Sequence, residues 1–200
     1  MFKVFNDSMM LPIGAIIGIV VAIIVVILVI SVIAWWIKTG NLLKREVVKI
    51  DESSSGIDVA LTKRYDLLTK AVAVVKGVAK HEKETLIGVI EMRRPAADAS
   101  MKEKSEFATS MTKAFDSINI VAEKYPEIKA NQNFTALQNQ ISEVEEQLQA
   151  ARRVYNSNVS IYNQDIVVFP KSIVANHLRM VKRDFFEAEE TKRQDVSIGF

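Results

Sequence analysis

Two rhythms of apolar and polar residues run along this chain, one without a period and one with the period of a helix. No charged residue occurs from Ser8 to Ile37, and from Leu11 the text reads LPIGAIIGIVVAIIVVILVISVIAWWI, apolar on every face. A helix needs about 20 apolar residues to cross a hydrocarbon core about 30 Å thick. This run exceeds that length and predicts a transmembrane helix over residues 9–37, after a short tail, residues 1–8. The rival reading is a cleaved signal peptide, whose apolar stretch would be about 7 to 15 residues long and end in an A-x-A-like site. Here the run is longer and ends in Trp35-Trp36-Ile37-Lys38, and Trp35, Trp36 and Lys38 have the chemistry of interfacial anchors.

Beyond residue 37 apolar positions recur at helical spacing. Leu43, Val47, Ile50, Ile57, Leu61, Leu68, Val72 and Val75 form one stripe. Its phase survives Ser53-Ser54-Ser55-Gly56, with Ser54 in an inward slot. Serine and glycine are poor helix formers, yet a linker has no reason to keep the period on both sides, so a continuous helix is predicted to about Lys76, with Gly77 as its C′ residue. His81-Glu-Lys-Glu-Thr-Leu restarts a helix that Pro95 interrupts, and Ser100 to about Lys124 reads as the next, with Phe107, Met111, Phe115, Ile118 and Val121 inward. The last and clearest starts at an Asn131 or Asn133 cap. Phe134, Ile141, Leu148, Tyr155, Tyr162 and Phe169 recur at intervals of seven, giving a seam to Phe169 that Pro170 ends. At 1.5 Å per residue that helix is about 55 Å long. The predicted fold is all-α: an N-terminal transmembrane helix, then an antiparallel bundle of three long rods, or four helices counting the break at Pro95, over residues 38–170. Residues 171–200 form a C-terminal tail that either packs on the bundle or binds a partner.

Composition then removes functions. The chain has 26 basic and 24 acidic residues, a net charge of +2, which lacks the basic excess of a nucleic-acid-binding protein. Without cysteine there is no disulfide, thiolate nucleophile or Cys-ligated metal. The two histidines are His81 and His177. His81-Glu82 begins like the zinc-protease pattern H-E-x-x-H, but Thr85 stands where the second ligand belongs. A di-iron bundle needs Glu-x-x-His pairs, and Val78 and Val174 occupy the required positions. Neither a Gly-x-Ser-x-Gly elbow nor a glycine-rich phosphate loop is present. The expectation is a non-enzyme with no cofactor.

Three constellations remain. Gly14, Gly18 and Ala22 lie four apart on one face of the span, the spacing at which two helices approach closely and a homo-oligomer forms; the bland reading is that small residues are common in spans. Basic Lys38, Lys44, Arg45 and Lys49 outweigh Lys3 across the span, so the positive-inside rule places the C-terminal domain in the cytoplasm. Tyr155-Asn156 is repeated seven residues later as Tyr162-Asn163, followed by Phe169-Pro170. Buried phenols need hydrogen-bond partners, so this is either a polar ladder that fixes helix register or the lining of a binding groove.

At these residues the sequence resembles the LemA family of membrane-anchored bacterial proteins. The resemblance rests on Ile141-Ser-Glu-Val-Glu through Ala151-Arg-Arg-Val-Tyr-Asn, Tyr162-Asn and Phe169-Pro170, then Asp184-Phe-Phe-Glu-Ala-Glu-Glu and a terminal Val-Ser-Ile-Gly-Phe. A second stretch is Leu61-Thr-Lys-Arg-Tyr-Asp-Leu-Leu, continuing from Val75 to Leu86. Where the family commonly has a proline–asparagine pair after Leu68, this chain has Thr69-Lys70. The resemblance implies a single-pass membrane protein with a helical-bundle domain, no established catalytic residues, and a part in membrane organisation. The leading functional expectation is a non-enzymatic scaffold or adaptor at the cell membrane, whose partners are the lipid bilayer and a membrane or membrane-associated protein, not nucleic acid. The alternative is a membrane-anchored ligand-binding or sensor bundle. Phe185 and Phe186 in the charged tail are the partner-contact candidates, unless they fold back onto the bundle.

Overall fold

The computed structural model describes residues 13–79, 92–96 and 98–187, and among the described residues all regular structure is helical. Helix α1, Ile13–Val78, is 66 residues long, about 100 Å at 1.5 Å per residue. It passes through the serine run unbroken. Ser53 and Ser55 turn their hydroxyls inward on the helix, donating to the carbonyls of Lys49 (2.8 Å) and Asp51 (3.1 Å) one turn earlier. Gly56 sits beside Ala151, whose Cβ would lie 4.0 Å from an added methyl. The helix is also uninterrupted at Thr69-Lys70. Gly77 is not the C′ residue that the sequence pattern predicts. Helix α1 runs past it to Val78, the Ala79 amide still donates to the Val75 carbonyl at 2.8 Å, and no described glycine adopts a left-handed φ.

Helix α2, Met101–Lys124, opens on a reciprocal capping box: the Ser100 hydroxyl accepts from the Glu103 amide and Glu103 accepts from the Ser100 amide. Those bonds hold the exposed Glu103 carboxyl below its usual range. A single turn, α3 (Pro126–Lys129), begins with proline where a missing N–H does no harm and buries Ile128. Helix α4, Gln132–Asp165, starts at Asn131, whose side chain accepts from the Asn133 amide at 2.9 Å. Helix α5 is short, Lys171–His177.

Contacts fix the directions. Helix α4 runs antiparallel to α1, with Arg64 on Glu145, Gly56 beside Ala151 and Asn158 on Lys49. It is antiparallel to α2 as well, where Gln138 meets Asn119. Helices α1 and α2 run the same way, because the chain has already come back before α2 begins: the Tyr65 hydroxyl donates to the Met92 carbonyl at 3.3 Å. The core between the three rods is apolar, with Leu68, Met111, Ile118, Phe134 and Leu148 all at 2% exposure or less. The α4 seam ends earlier than the sevenfold recurrence implies. Ile166 is its last buried residue and Phe169 is 76% exposed, since the position before Pro170 disfavours helix and the chain turns there toward α5.

Candidate functional site

The Tyr–Asn repeat holds a strap. Beyond α5 the chain turns at Arg179, the one described non-glycine residue with positive φ (52°), and residues 181–187 then run back along α4 without regular structure. The Tyr162 hydroxyl donates to the Val181 carbonyl (3.0 Å) and the Tyr155 hydroxyl to the Asp184 carbonyl (2.9 Å). Each asparagine makes a two-way pair with one strap residue. Asn163 accepts from the Arg183 amide and donates to its carbonyl, both at 2.9 Å. Asn156 treats Phe186 the same way, at 2.9 and 3.0 Å.

The geometry explains the sevenfold spacing. Seven residues of α-helix rise about 10.5 Å, and three residues of extended chain span about 10 Å. A Tyr-Asn pair repeated every seven positions therefore meets an antiparallel strap at every third residue, and each side-chain amide stands in for a neighbouring strand. Every one of these bonds goes to main chain, so the ladder recognises backbone rather than sequence. Burial raises both phenols above the usual tyrosine range, which keeps them as donors. One strap side chain adds selectivity: Phe186 is 2% exposed beneath the Arg152 guanidinium, 5.0 Å from its ring centre. The Ser105 hydroxyl donates to the Glu187 carbonyl at 3.0 Å, tying the strap to α2. Phe185 points outward, 44% exposed. The strap takes up the hydrogen bonds of the tandem tyrosines and asparagines, an open pocket of about 440 Å³ lies beside it where Tyr155 faces Ile50, Ser54, Lys104 and Arg183, and of the two candidate partner-contact phenylalanines only Phe185 lies on the surface. Phe169 and Pro170 sit apart from the ladder at the exposed α4–α5 corner, joined by a cis peptide bond.

Charged side chains occupy three inward positions. Arg64, 5% exposed, reaches across the bundle: it pairs with Glu145 at 2.8 Å and donates to the Ala108 carbonyl (3.2 Å) and the Thr112 hydroxyl (2.9 Å). Lys104, buried still more completely, pairs with Asp58 at 2.8 Å. These bonds tie α1, α2 and α4 together. Glu46 differs, because one of its carboxylate oxygens is buried without a partner. Burial above all, then the charge and hydrogen bond of Asp165, push its carboxyl up to about 7 against the lowering effect of Lys171 and Lys49. Asp165 is itself paired with Lys171. A proton on Glu46 gives the pair of carboxyls a donor. Sequence reasoning passed over all three residues, although a signal existed: Glu46 lies between Leu43 and Ile50, Arg64 between Leu61 and Leu68, and Lys104 three before Phe107, each at a seam position. Beside Glu46 an open groove of about 490 Å³ is lined by Leu42, Arg45, Glu46, Lys49, Asn158 and Ile161.

At the other end of the rod the apolar half of α1 stands alone. Its most apolar window has a mean hydropathy of 3.6 and none of it is buried. Gly14 and Gly18 have nothing within 4 Å of where a Cβ would stand, and Ala22 lies on the same exposed helix. Trp35 and Trp36 are half-buried and pack edge to face, centres 6.5 Å apart. Trp36 in turn meets His177 at 5.4 Å, while Lys38 is exposed. His81 and Glu82 lie outside the described residues.

An apolar helix that continues as the main rod of a three-helix bundle, with the bundle closed by its own C-terminal strap, defines the class. The chain belongs to the LemA family, whose sequence model matches residues 53–200 and so includes the rod beyond the serines, the Tyr–Asn ladder and the strap. It is similar to Protein LemA of Metamycoplasma hominis, 28% identical over 158 residues, which covers 78% of this chain and 72% of that protein.

Proposed function

We propose that this protein is a single-pass, membrane-anchored, non-enzymatic scaffold that holds a rigid helical bundle against the membrane and presents its outer faces to membrane-associated proteins. The observation that carries the reading is the continuity of α1. One helix is lipid-compatible on every face for its first half and forms the wall of a bundle in its second, so the bundle is carried as a rigid extension of the anchor. A soluble core helix would be buried, whereas this apolar segment is not, and its length and Trp-Trp-Ile-Lys end favour a retained anchor over a cleaved leader. The cytoplasmic side is favoured by Lys38, Lys44, Arg45 and Lys49. The sensor reading is less well supported, because the hydrogen bonds of the ladder that motivated it are taken by the chain's own strap.

The test has two parts. Alkaline carbonate should leave the full-length protein in the membrane pellet, and protease added to sealed inside-out vesicles should digest the bundle while right-side-out vesicles protect it. Mild-detergent purification should then recover the chain at defined stoichiometry with another membrane-associated protein. Release by carbonate contradicts the anchor, and recovery of the chain without any stoichiometric companion contradicts the adaptor role.

A further inference from the structure

We propose that the α4–α5 corner and α5 form a second, peripheral seat on the same bilayer, a basic and apolar collar that takes anionic phospholipid headgroups. The proposal rests on the reading of α1 as a membrane anchor and adds a site to it. Two segments meet at the point where the apolar run ends. Val174 and Leu178 pack where a Cβ on Gly40 would stand, each at 3.8 Å, and His177 packs on Trp36. Trp36 and Gly40 are about 6 Å apart along the helix, and the polar layer on each side of a hydrocarbon core is about 5 to 8 Å deep. The far end of α5 therefore lies at headgroup depth. Helix α4 descends toward the same level from Asn158, which touches Lys49 and Ser53.

What this end exposes suits anionic lipid. Val167, Val168, Phe169 and Ile173 are all about half exposed or more, on a corner that has no reason to be apolar in water. Around them the charge is one-sided. Residues 36–45 and 166–182 together hold six basic residues, among them Lys38, Lys44, Lys171, Arg179 and Lys182, and no acidic one. The net charge of the whole chain is only +2, so the remainder is acidic on balance and the fold gathers the positive charge at the membrane end. The acidic groups that approach this end are Asp165, held by Lys171, and the buried Glu46; farther along the strap Arg183 stands 3.9 Å from Asp51 and is followed by the exposed Asp184. Apolar side chains ringed by lysine and arginine are the recognition chemistry of anionic membrane surfaces.

The experiment places an indole at the corner. The full-length chain carrying Phe169→Trp with Trp35→Phe and Trp36→Phe is reconstituted into phosphatidylcholine bilayers with and without phosphatidylglycerol, using lipids brominated on the acyl chains. The expected result is blue-shifted emission from position 169 that bromolipid quenches when phosphatidylglycerol is present. Adding Lys38→Gln, Arg179→Gln and Lys182→Gln, or raising the salt, should reduce that quenching. The unsubstituted protein gives an independent reading, since amides of residues 166–180 should exchange more slowly in the anionic bilayer than in the neutral one. Water-like, unquenched emission together with unchanged exchange in both bilayers overturns the collar while leaving the anchor intact. Loss of the chain from the bilayer in carbonate overturns the anchor and the collar with it.

Discussion

The two halves of α1 have the same backbone and obey opposite rules. From residue 14 to residue 37 nearly every side chain is exposed and apolar, and no face carries a charge. From Thr39 to Val75 one face is buried, the other is charged, and the buried face itself contains Glu46 and Arg64. Secondary structure is therefore indifferent to the change of surroundings, whereas patterning is not. Around the first half a lipid environment would supply nothing to pair with a charge, so none is present; within the bundle, neighbouring helices supply carboxylates, carbonyls and hydroxyls, and inward charges become ties. Because one uninterrupted ladder of hydrogen bonds joins the halves, a displacement of the bundle is also a displacement of the apolar segment.

The sharpest way to break the contrast is to remove a tie from the bundle half. Arg64→Ala takes the cation from Glu145, which keeps its bond from Gln149, and removes the bonds to the Ala108 carbonyl and the Thr112 hydroxyl, and should destabilise the bundle by about 3–5 kcal/mol, read by thermal unfolding in detergent. The same contrast from the other side is Val25→Lys, which puts an unpaired charge at mid-span. An insertion cost of about 2.5–3.5 kcal/mol should appear as a larger carbonate-extractable fraction with the bundle still folded.

Glu46 sharpens the comparison through pH. Its folded-state carboxyl titrates at about 7, against 4.5 for an unperturbed one, so the folded protein holds this proton more tightly than the unfolded chain. Its contribution is favourable at low pH, is lost as pH rises from about 4.5 to 7, and is flat above that range. Glu46→Gln should abolish this slope and raise stability at pH 8 by about 1–3 kcal/mol; an unchanged slope would show that Glu46 does not titrate there. Asn156→Ala removes both bonds to Phe186 and should cost about 1–2 kcal/mol, seen chiefly as faster amide exchange at residues 183–187 with α1 and α4 unaffected. The smallest effect expected is from Gly56→Ala. The added methyl meets only an ordinary contact with Ala151, so helix propensity should stabilise the rod by about 0.5–1 kcal/mol; destabilisation would mean that α1 and α4 approach more closely here than a methyl allows.

Most of the architecture was legible because local signals agreed with one another. The aperiodic apolar run, the phase kept through Ser53–Gly56 and the Asn131 cap all act within one or two helical turns; the Ser100–Glu103 capping box acts as locally but was not read. The interior charges were hidden by the way an apolar stripe is read: Leu61 and Leu68 satisfy a sevenfold recurrence and the eye passes over Arg64 between them. Gly77 was misread because a glycine near the end of an apolar pattern resembles a cap, although here the ladder simply continues. The function of the Tyr–Asn repeat was not legible, since its partners lie 19 to 30 residues away in a different backbone conformation. Phe185 and Phe186 could be separated only once the tail was known to be extended, where adjacent side chains face opposite ways.

Absence of cysteine makes the central claim, one rigid helix from membrane to bundle, directly measurable. Lys44→Cys and Lys70→Cys place spin labels at two exposed positions on either side of the serine run. In bilayer nanodiscs, pulsed dipolar spectroscopy should give a single narrow distribution centred near the about 39 Å that 26 residues of continuous α-helix span. A broad distribution shifted to shorter distances would mean that α1 hinges at Ser53–Gly56, and that the bundle is tethered to the membrane rather than built on it.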